Sequence, residues 1–401
     1  MINKIDVKKI IIKIFDYIEQ GEEITEYETF KGHPGLYFFH SKDEFNNILD
    51  LSLTKEEYDR YDIYYIVQKM IKFLLNKYDS HTRMWFHDNS SFSIKFKIEN
   101  DKVYVVNITS YLNNVIGGEL ISINDIPITK ILKELEEIIC YSTKEYLNET
   151  IANSIIQINI LKSLPSIDNN ISDVNYKILH NGIEKNIIFK ENKKYEDYKE
   201  KKPDNYTYEL LDNILIIHYN SCKNSEKMLE FVNQIQLESF KNNIEYYIID
   251  IRNNRGGDSS IIDPLIDFLT DKKTVTLVNE NVFSSGKMAM IDLKRIGTYI
   301  IGTNIATSLN YFGESPGKLE LNELKLSIKR SSKYWYYDKD LNCKGFTKEN
   351  FENYFKDKKE LLEPIILTPD EYVEMTVEDI IKNSDPQLNS AINYIKNQKI
   401  L

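Results

Sequence analysis

An α/β fold is predicted from three stretches in the second half of the chain. Residues 246–251 form a short apolar and β-branched run that reads as a buried strand. A polar loop follows, carrying the paired glycines Gly256 and Gly257, and a helical pattern begins at Ile261-Ile262. Residues 274–278 read as a second strand, which runs into 279–287, where a new helix starts at the serine pair Ser284-Ser285. Strand, glycine turn, helix leaves backbone N–H groups pointing outward at the turn, and glycine suits that place because it accepts positive φ and close approach. If the two strands are neighbours, the serine corner lies beside the glycine turn.

The whole chain sets further bounds. At 401 residues it holds two or three domains with ample core. With 28% charged and 42% hydrophobic residues it has the balance of a soluble globular protein. A net charge of −11 argues against a protein that tracks nucleic-acid phosphates. Cys140, Cys222 and Cys343 are odd in number and far apart, which fits neither a disulfide framework nor a zinc site; no metal or cofactor is expected. The first 20 residues contain Asp6 and Asp16 and lack a continuous apolar core, so they do not read as a signal peptide. No stretch approaches the ~20 apolar residues of a membrane span. The expected location is cytoplasmic for the chain as it stands, and extracytoplasmic if a leader was trimmed. Oligomeric state is not legible.

Taken in order, residues 5–18 are amphipathic at helical spacing through Val7, Ile10, Ile11, Ile14, Phe15 and Ile18. Gly32-His33-Pro34-Gly35 breaks the pattern. Helices are predicted at 41–51 and, with Thr54 as N-cap, at 61–75. The last runs into Asp79-Ser80-His81-Thr82 at a turn, where a histidine also suits the negative end of a helix dipole. Alternation at 92–98 and 103–108 predicts two strands. Residues 116–128 precede a helix from about Thr129, and 146–164 read as helical. Residues 174–189 form a hairpin turning at Asn181-Gly182. The charge run 191–204 reads as a solvated linker and the main boundary. Beyond it come a strand at 214–218, a helix at 225–241, the central stretch, and a strand at 296–302 closed by Gly302. The predicted domains are 1–90, 91–195 and 205–401. His218, inside an apolar run, reads as a satisfied core histidine or a rival base, and Cys222 has no assignable base for a nucleophilic role.

The string D-I-R-N-N-R-G-G at 250–257, followed by V-F-S-S-G-K at 282–287, resembles the core of the C-terminal-processing (tail-specific) and tricorn-type serine peptidases. Asp79-Ser80-His81-Thr82 matches the Ser-His pair, often preceded by an acid, of the tricorn-type branch. Leu361-Leu362-Glu363-Pro364 through Pro369-Asp370 resembles the block in which a glutamate lies six residues before Pro-Asp. The G-x-x-L-x-x-I-N string at 117–124 resembles half of a PDZ-like module, whose sheet edge can accept a peptide strand.

That resemblance implies a crotonase/ClpP-like β-β-α catalytic domain, an N-terminal helical lobe and a small β-rich, PDZ-like middle lobe. It implies a serine endopeptidase acting on peptides or protein C-terminal regions, with Ser284 as nucleophile and His81 as base. Glu363 would orient the base, and Ser80 would join the connecting network. Oxyanion donors would be the N–H groups of Ser285 and of Gly256 or Gly257. Ser285 could instead be the nucleophile, and His87 the base. The family's other branch uses a Ser-Lys dyad, but no lysine or arginine stands between Arg295 and Lys318. The chain departs from the pattern twice: Lys287 replaces a common glutamate, and 303–308 lacks paired glycines. Lys287 is expected to cap or pair locally, with an unorthodox base as the alternative. Two other functions share the fold: a catalytically silent peptide-binding protein, and an acyl-CoA enzyme of the crotonase type.

Overall fold

The computed structural model describes residues 1–25, 28–191 and 203–398. Most of the charge run read as a linker lies outside them. The chain groups into two compact units: Met1–Ser142 with Leu147–Tyr198 and Asn310–Ile365, and Thr143–Tyr146 with Lys199–Leu309 and Ile366–Leu401.

The second unit is built on a sheet whose strands lie side by side in chain order: β1 (Tyr206–Leu211), β2 (Ile214–Tyr219), β3 (Tyr246–Asp250), β4 (Lys273–Val278), β5 (Tyr299–Gly302) and β6 (Glu371–Tyr372). β1 is antiparallel to β2, and the remaining pairs are parallel. The helices α1 (Ser225–Lys241), α2 (Asp263–Leu269) and α3 (Ser285–Arg295) connect the parallel strands, and α4 (Pro386–Gln398) lies near the end of the chain. Leu215, Ile217, Tyr247 and Ile249 pack with Met228, Phe231 and Ile235 of α1, Leu265 of α2, and Met290 and Leu293 of α3. The alternate residues Ile214, Ile216, Tyr246, Ile248, Val275 and Leu277 pack with Ala391 and Ile395 of α4. Burial on both faces explains why these strands read as unbroken apolar runs rather than alternating ones. The parallel strands β3 and β4 end at the glycine turn and the serine corner, the end of such a sheet where ligand sites form.

In the first unit, Ile183–Lys190, Asp173–His180, Glu119–Ile123, Lys102–Ile108 and Ile94–Glu99 form an antiparallel sheet in that order. The Asp173–Lys190 hairpin turns where predicted, with φ of 53° at Asn181 and 76° at Gly182, the two positive values a two-residue turn requires. Smaller sheets join Leu319–Leu321, Leu326–Lys329 and Arg83–Phe86, and Tyr311–Gly313, Lys333–Tyr337 and Cys343–Phe346.

Two local expectations are corrected. Thr54 does not cap the third helix: it runs Arg60–Leu74 and is capped by Asp59, whose carboxylate accepts the N–H groups of Tyr61 and Asp62. A carboxylate closing a reciprocal capping box outcompetes a threonine five residues upstream. The run at 146–164 is two helices, Lys144–Ser154 and Ile158–Ser163, because the backbone at 156–157 pairs outside them: Phe92 N donates to Ile156 O and Ser91 bridges Gln157.

All three cysteines are free thiols. Among the described residues no helix is long and apolar enough to cross a membrane.

Candidate active site

The serine corner and the glycine turn meet within the second unit, and Asn254 is the reason. Its side chain is fully buried and does three things. Nδ2 donates to Tyr219 O at 3.0 Å, Oδ1 accepts Gly256 N–H at 2.9 Å, and Oδ1 also accepts the Cys222 thiol at 3.3 Å. Its carbonyl accepts Phe283 N–H at 3.0 Å, fastening the residue before Ser284 to the turn. A Cβ placed on Gly256 would lie 2.9 Å from Phe283 O, Ser284 Cβ and Ser285 N, and Gly256 sits at φ 95°. Gly256→Ala is therefore expected to push the turn and the corner apart. Amide hydrogen exchange at Phe283, whose N–H is held by the Asn254 carbonyl, should become faster in that variant while the circular-dichroism spectrum keeps its shape.

Ser284 holds φ 55° and ψ −124°, a strained backbone for a residue with a side chain, of the kind that gathers at functional sites. Its N–H donates to Thr307 Oγ1 at 3.3 Å, and its hydroxyl makes no capping bond to α3. Ser285 differs: it is buried and its hydroxyl donates to Gly257 O at 2.7 Å. Lys287 is fully buried and donates to Leu309 O at 2.9 Å, the local pairing expected of it. Thr307 and Leu309 thus fasten the glycine-poor loop after β5 to the start of α3.

Arg252 supports the turn from below. It forks onto Asp250 (Nε to Oδ1 2.9 Å, Nη2 to Oδ2 2.8 Å) and onto Asp385 (Nη1 to Oδ1 2.9 Å, Nη2 to Oδ2 2.8 Å). Asp385 also accepts Leu388 N–H at the start of α4. His218 lies 3.4 Å from Asp250 and 3.6 Å from Glu209. Its pKa is raised chiefly by the bond to Asp250, against the opposing effect of burial. It is a half-buried member of a charge network rather than an apolar-core histidine. Cys222 is pushed up to about 11 by burial, so its thiol stays protonated at neutral pH.

The predicted histidine turn belongs to the first unit. His81 is buried, its ring tilted over Tyr311 with centroids 5.5 Å apart. Asp79 is fully buried and organises the turn. Oδ1 accepts His81 N–H at 2.8 Å, Thr82 N–H at 3.1 Å and the Ser331 hydroxyl at 3.0 Å, while Oδ2 lies 2.8 Å from His33 Nε2. Burial alone would raise its pKa, but His33 and these donors hold it down to about 2. A depressed carboxylate stabilises the fold above its unfolded value of 3.8, and that contribution is lost as pH falls toward 2. Melting curves between pH 5 and pH 2 should therefore fall less steeply for Asp79→Asn than for wild type.

Ser80 is half-buried beside His81. Glu363 is exposed and hydrogen-bonded to Tyr78; burial chiefly, and then this carboxylate, raise the pKa of the Tyr78 hydroxyl. His87 is exposed and bonds the Ser327 hydroxyl at 2.6 Å. Ser284, Ser285, Gly256 and Gly257 thus lie together in one unit, and His81, Ser80 and Glu363 belong to the other. The parts that sequence reasoning missed are Asn254, Thr307, His33 and Ser331. Asn254 stood inside a quoted motif, whereas the others carry no local signal.

The family model for Peptidase family S41 matches residues 213–282, from the start of β2 through the glycine turn to two residues before Ser284. That stretch, and with it the glycine turn, is similar to peptidase family S41. Among solved structures, the chain resembles mature CPAF at 11% identity, with 94% of each chain covered and a TM-score of 0.59. A serine-to-alanine mutant of CPAF gives 12% identity, 94% coverage of each chain and a TM-score of 0.60. A photosystem II D1 C-terminal processing protease gives 11% identity over 95% of this chain and 97% of that one, with a TM-score of 0.44. At these identities the likeness to CPAF concerns the mixed α/β fold alone. Among curated proteins none matches the sequence.

Proposed function

We propose that this S41-family chain is a serine endopeptidase, hydrolysing peptides or protein C-terminal regions through an acyl-enzyme on Ser284 with His81 as general base. The observation that carries the reading is the Ser284 corner. Its backbone is strained, its hydroxyl is not spent on capping α3, and it abuts Gly256 in the S41 stretch. A hydroxyl presented at a sharp strand-to-helix turn beside outward N–H groups suits acyl transfer.

In this reading the Ser284 oxygen attacks the scissile carbonyl carbon while His81 takes the hydroxyl proton. The tetrahedral oxyanion accepts hydrogen bonds from the N–H groups of Ser285 and Gly257. Gly257 is preferred over Gly256 because the Gly256 N–H is donated to Asn254. The intermediate collapses with transfer of the proton from His81 to the leaving amine, and water then hydrolyses the ester with His81 again as base. Glu363 would orient His81, with Ser80 in the network; the Tyr78–Glu363 bond brings that carboxylate to the residue before Asp79. The strand–helix repeat of the second unit supports a crotonase/ClpP-like catalytic domain. The antiparallel sheet containing Glu119–Ile123 supports a PDZ-like lobe that takes a peptide strand.

The test is labelling of the purified chain by a fluorophosphonate. Wild type should label and Ser284→Ala should not. Undiminished labelling of Ser284→Ala would move the nucleophile elsewhere, Ser285 first. No labelling of wild type, with or without added peptides, would point to a catalytically silent peptide-binding protein on the same fold.

A further inference from the structure

His33 lies 46 residues before Asp79 in a Gly-His-Pro-Gly string that has no helical or strand periodicity. It is nevertheless fully buried, and its ring is held on three sides. Nδ1 accepts the Gly35 N–H at 3.0 Å, Nε2 faces Asp79 Oδ2 at 2.8 Å, and the ring packs on Phe312 with centroids 4.7 Å apart. Because Nδ1 is an acceptor, the imidazole proton resides on Nε2 and is donated to Asp79. Asp79 is then fully committed: one oxygen to His33, the other to the His81 and Thr82 amides and the Ser331 hydroxyl. Ser331 N–H in turn donates to Thr82 Oγ1 at 2.9 Å. No oxygen of Asp79 is left to swing, so the backbone of His81 is held at the place the carboxylate dictates.

We infer that His33 is a positioning residue: it locks the Asp79 carboxylate, and through it the His81 backbone, so that the imidazole of His81 is presented in one orientation. The inference rests on the reading of His81 as the base. It assigns the support of that base to a buried His33–Asp79 pair, separately from any contribution of Glu363. A hydrogen-bonded shell that fixes a reacting group matters because a displacement of about 1 Å can cost on the order of 10²-fold in rate.

The experiment compares wild type, His33→Leu, His33→Gln and Asp79→Asn. It measures the rate constant of fluorophosphonate labelling and amide hydrogen exchange across 79–82, with melting temperature as a control. His33→Leu keeps the bulk but removes the donor, leaving Asp79 Oδ2 unpaired; His33→Gln puts an amide N–H within reach of Oδ2. The expected result is that His33→Leu slows labelling ~10–100-fold and speeds exchange at the His81 and Thr82 amides. His33→Gln should restore most of both, and Asp79→Asn should resemble His33→Leu. A merely structural role would lower the melting temperature in both His33 variants without selective exposure of these two amides. Unchanged exchange at His81 and Thr82 in a folded His33→Leu variant would overturn the inference. If wild type fails to label, the Ser284–His81 reading falls, and the exchange measurement still decides whether His33 holds the turn.

Discussion

On the proposed mechanism, Ser284→Ala and His81→Ala, each alone, are expected to lower peptide turnover by about the same factor, on the order of 10⁵–10⁶, and the double substitution by no more. The reason is that a nucleophile and its base act on a single proton. Once the hydroxyl is gone the base has nothing to accept, and once the base is gone the hydroxyl is a poor nucleophile at neutral pH. Rate remaining in either variant would come from substrate binding and the oxyanion donors at Ser285 and Gly257, typically ~10³–10⁴ over the uncatalysed reaction. Hydrolysis of a peptide pool followed by mass spectrometry reads all three variants. Losses that multiply in the double variant would mean that the two residues serve separate steps. Wild-type turnover in Ser284→Ala would remove Ser284 from the mechanism.

The second large effect concerns stability. Arg252 lies between two carboxylates, and the Asp250 side chain is far less exposed (6%) than that of Asp385 (31%). Arg252→Met keeps the bulk of the side chain but leaves the buried Asp250 carboxylate with the half-buried His218 and the backbone N–H of residue 252 in place of a guanidinium fork. Breaking such a pair from one side costs about 3–5 kcal/mol. Asp385→Asn should cost much less, because Asp250 keeps its fork with Arg252 and the altered group reaches water. A chain of two units need not melt in one step. The measurement is therefore hydrogen exchange in β3 and the turn that follows, alongside a thermal melt. Equal and small effects for the two variants would show that the network is dispensable.

Legibility in the sequence followed the range of the interactions. The 225–241 helix and the Asp173–Lys190 hairpin were readable because their signals are local: apolar spacing of 3.6 residues in one, Asn-Gly between β-branched runs in the other. The glycine turn and serine corner were readable because glycine and a serine pair at strand ends are short-range backbone devices. Arg252 was quoted in its motif without a role, since its second partner lies 133 residues on. His33 was passed over for the same reason. A single histidine beside a proline says nothing until another segment delivers Asp79 to it. The capping of Arg60–Leu74 was misread because Thr54 and Asp59 are both acceptable caps by residue type. Only the reciprocal bond with Asp62 decides between them. Glu363 enters through the resemblance of the 361–370 block to the tricorn-type pattern, and such a resemblance does not say that the side chain is exposed and bonded to Tyr78.

The covering of the sheet by α4 has a consequence for biosynthesis. Ile214, Ile216, Tyr246, Ile248, Val275 and Leu277 are all translated long before Ala391 and Ile395, which pack on them. Asp385, which clamps Arg252, emerges just ahead of α4. A nascent chain can therefore form the glycine turn and display Ser284 while one face of its sheet is still bare and the clamp below the turn is absent. The parts of the second unit are made in an order that keeps the serine corner unsupported until residues 385–395 have left the ribosome. Through that interval the exposed apolar face is the part of the newborn chain that a chaperone would hold.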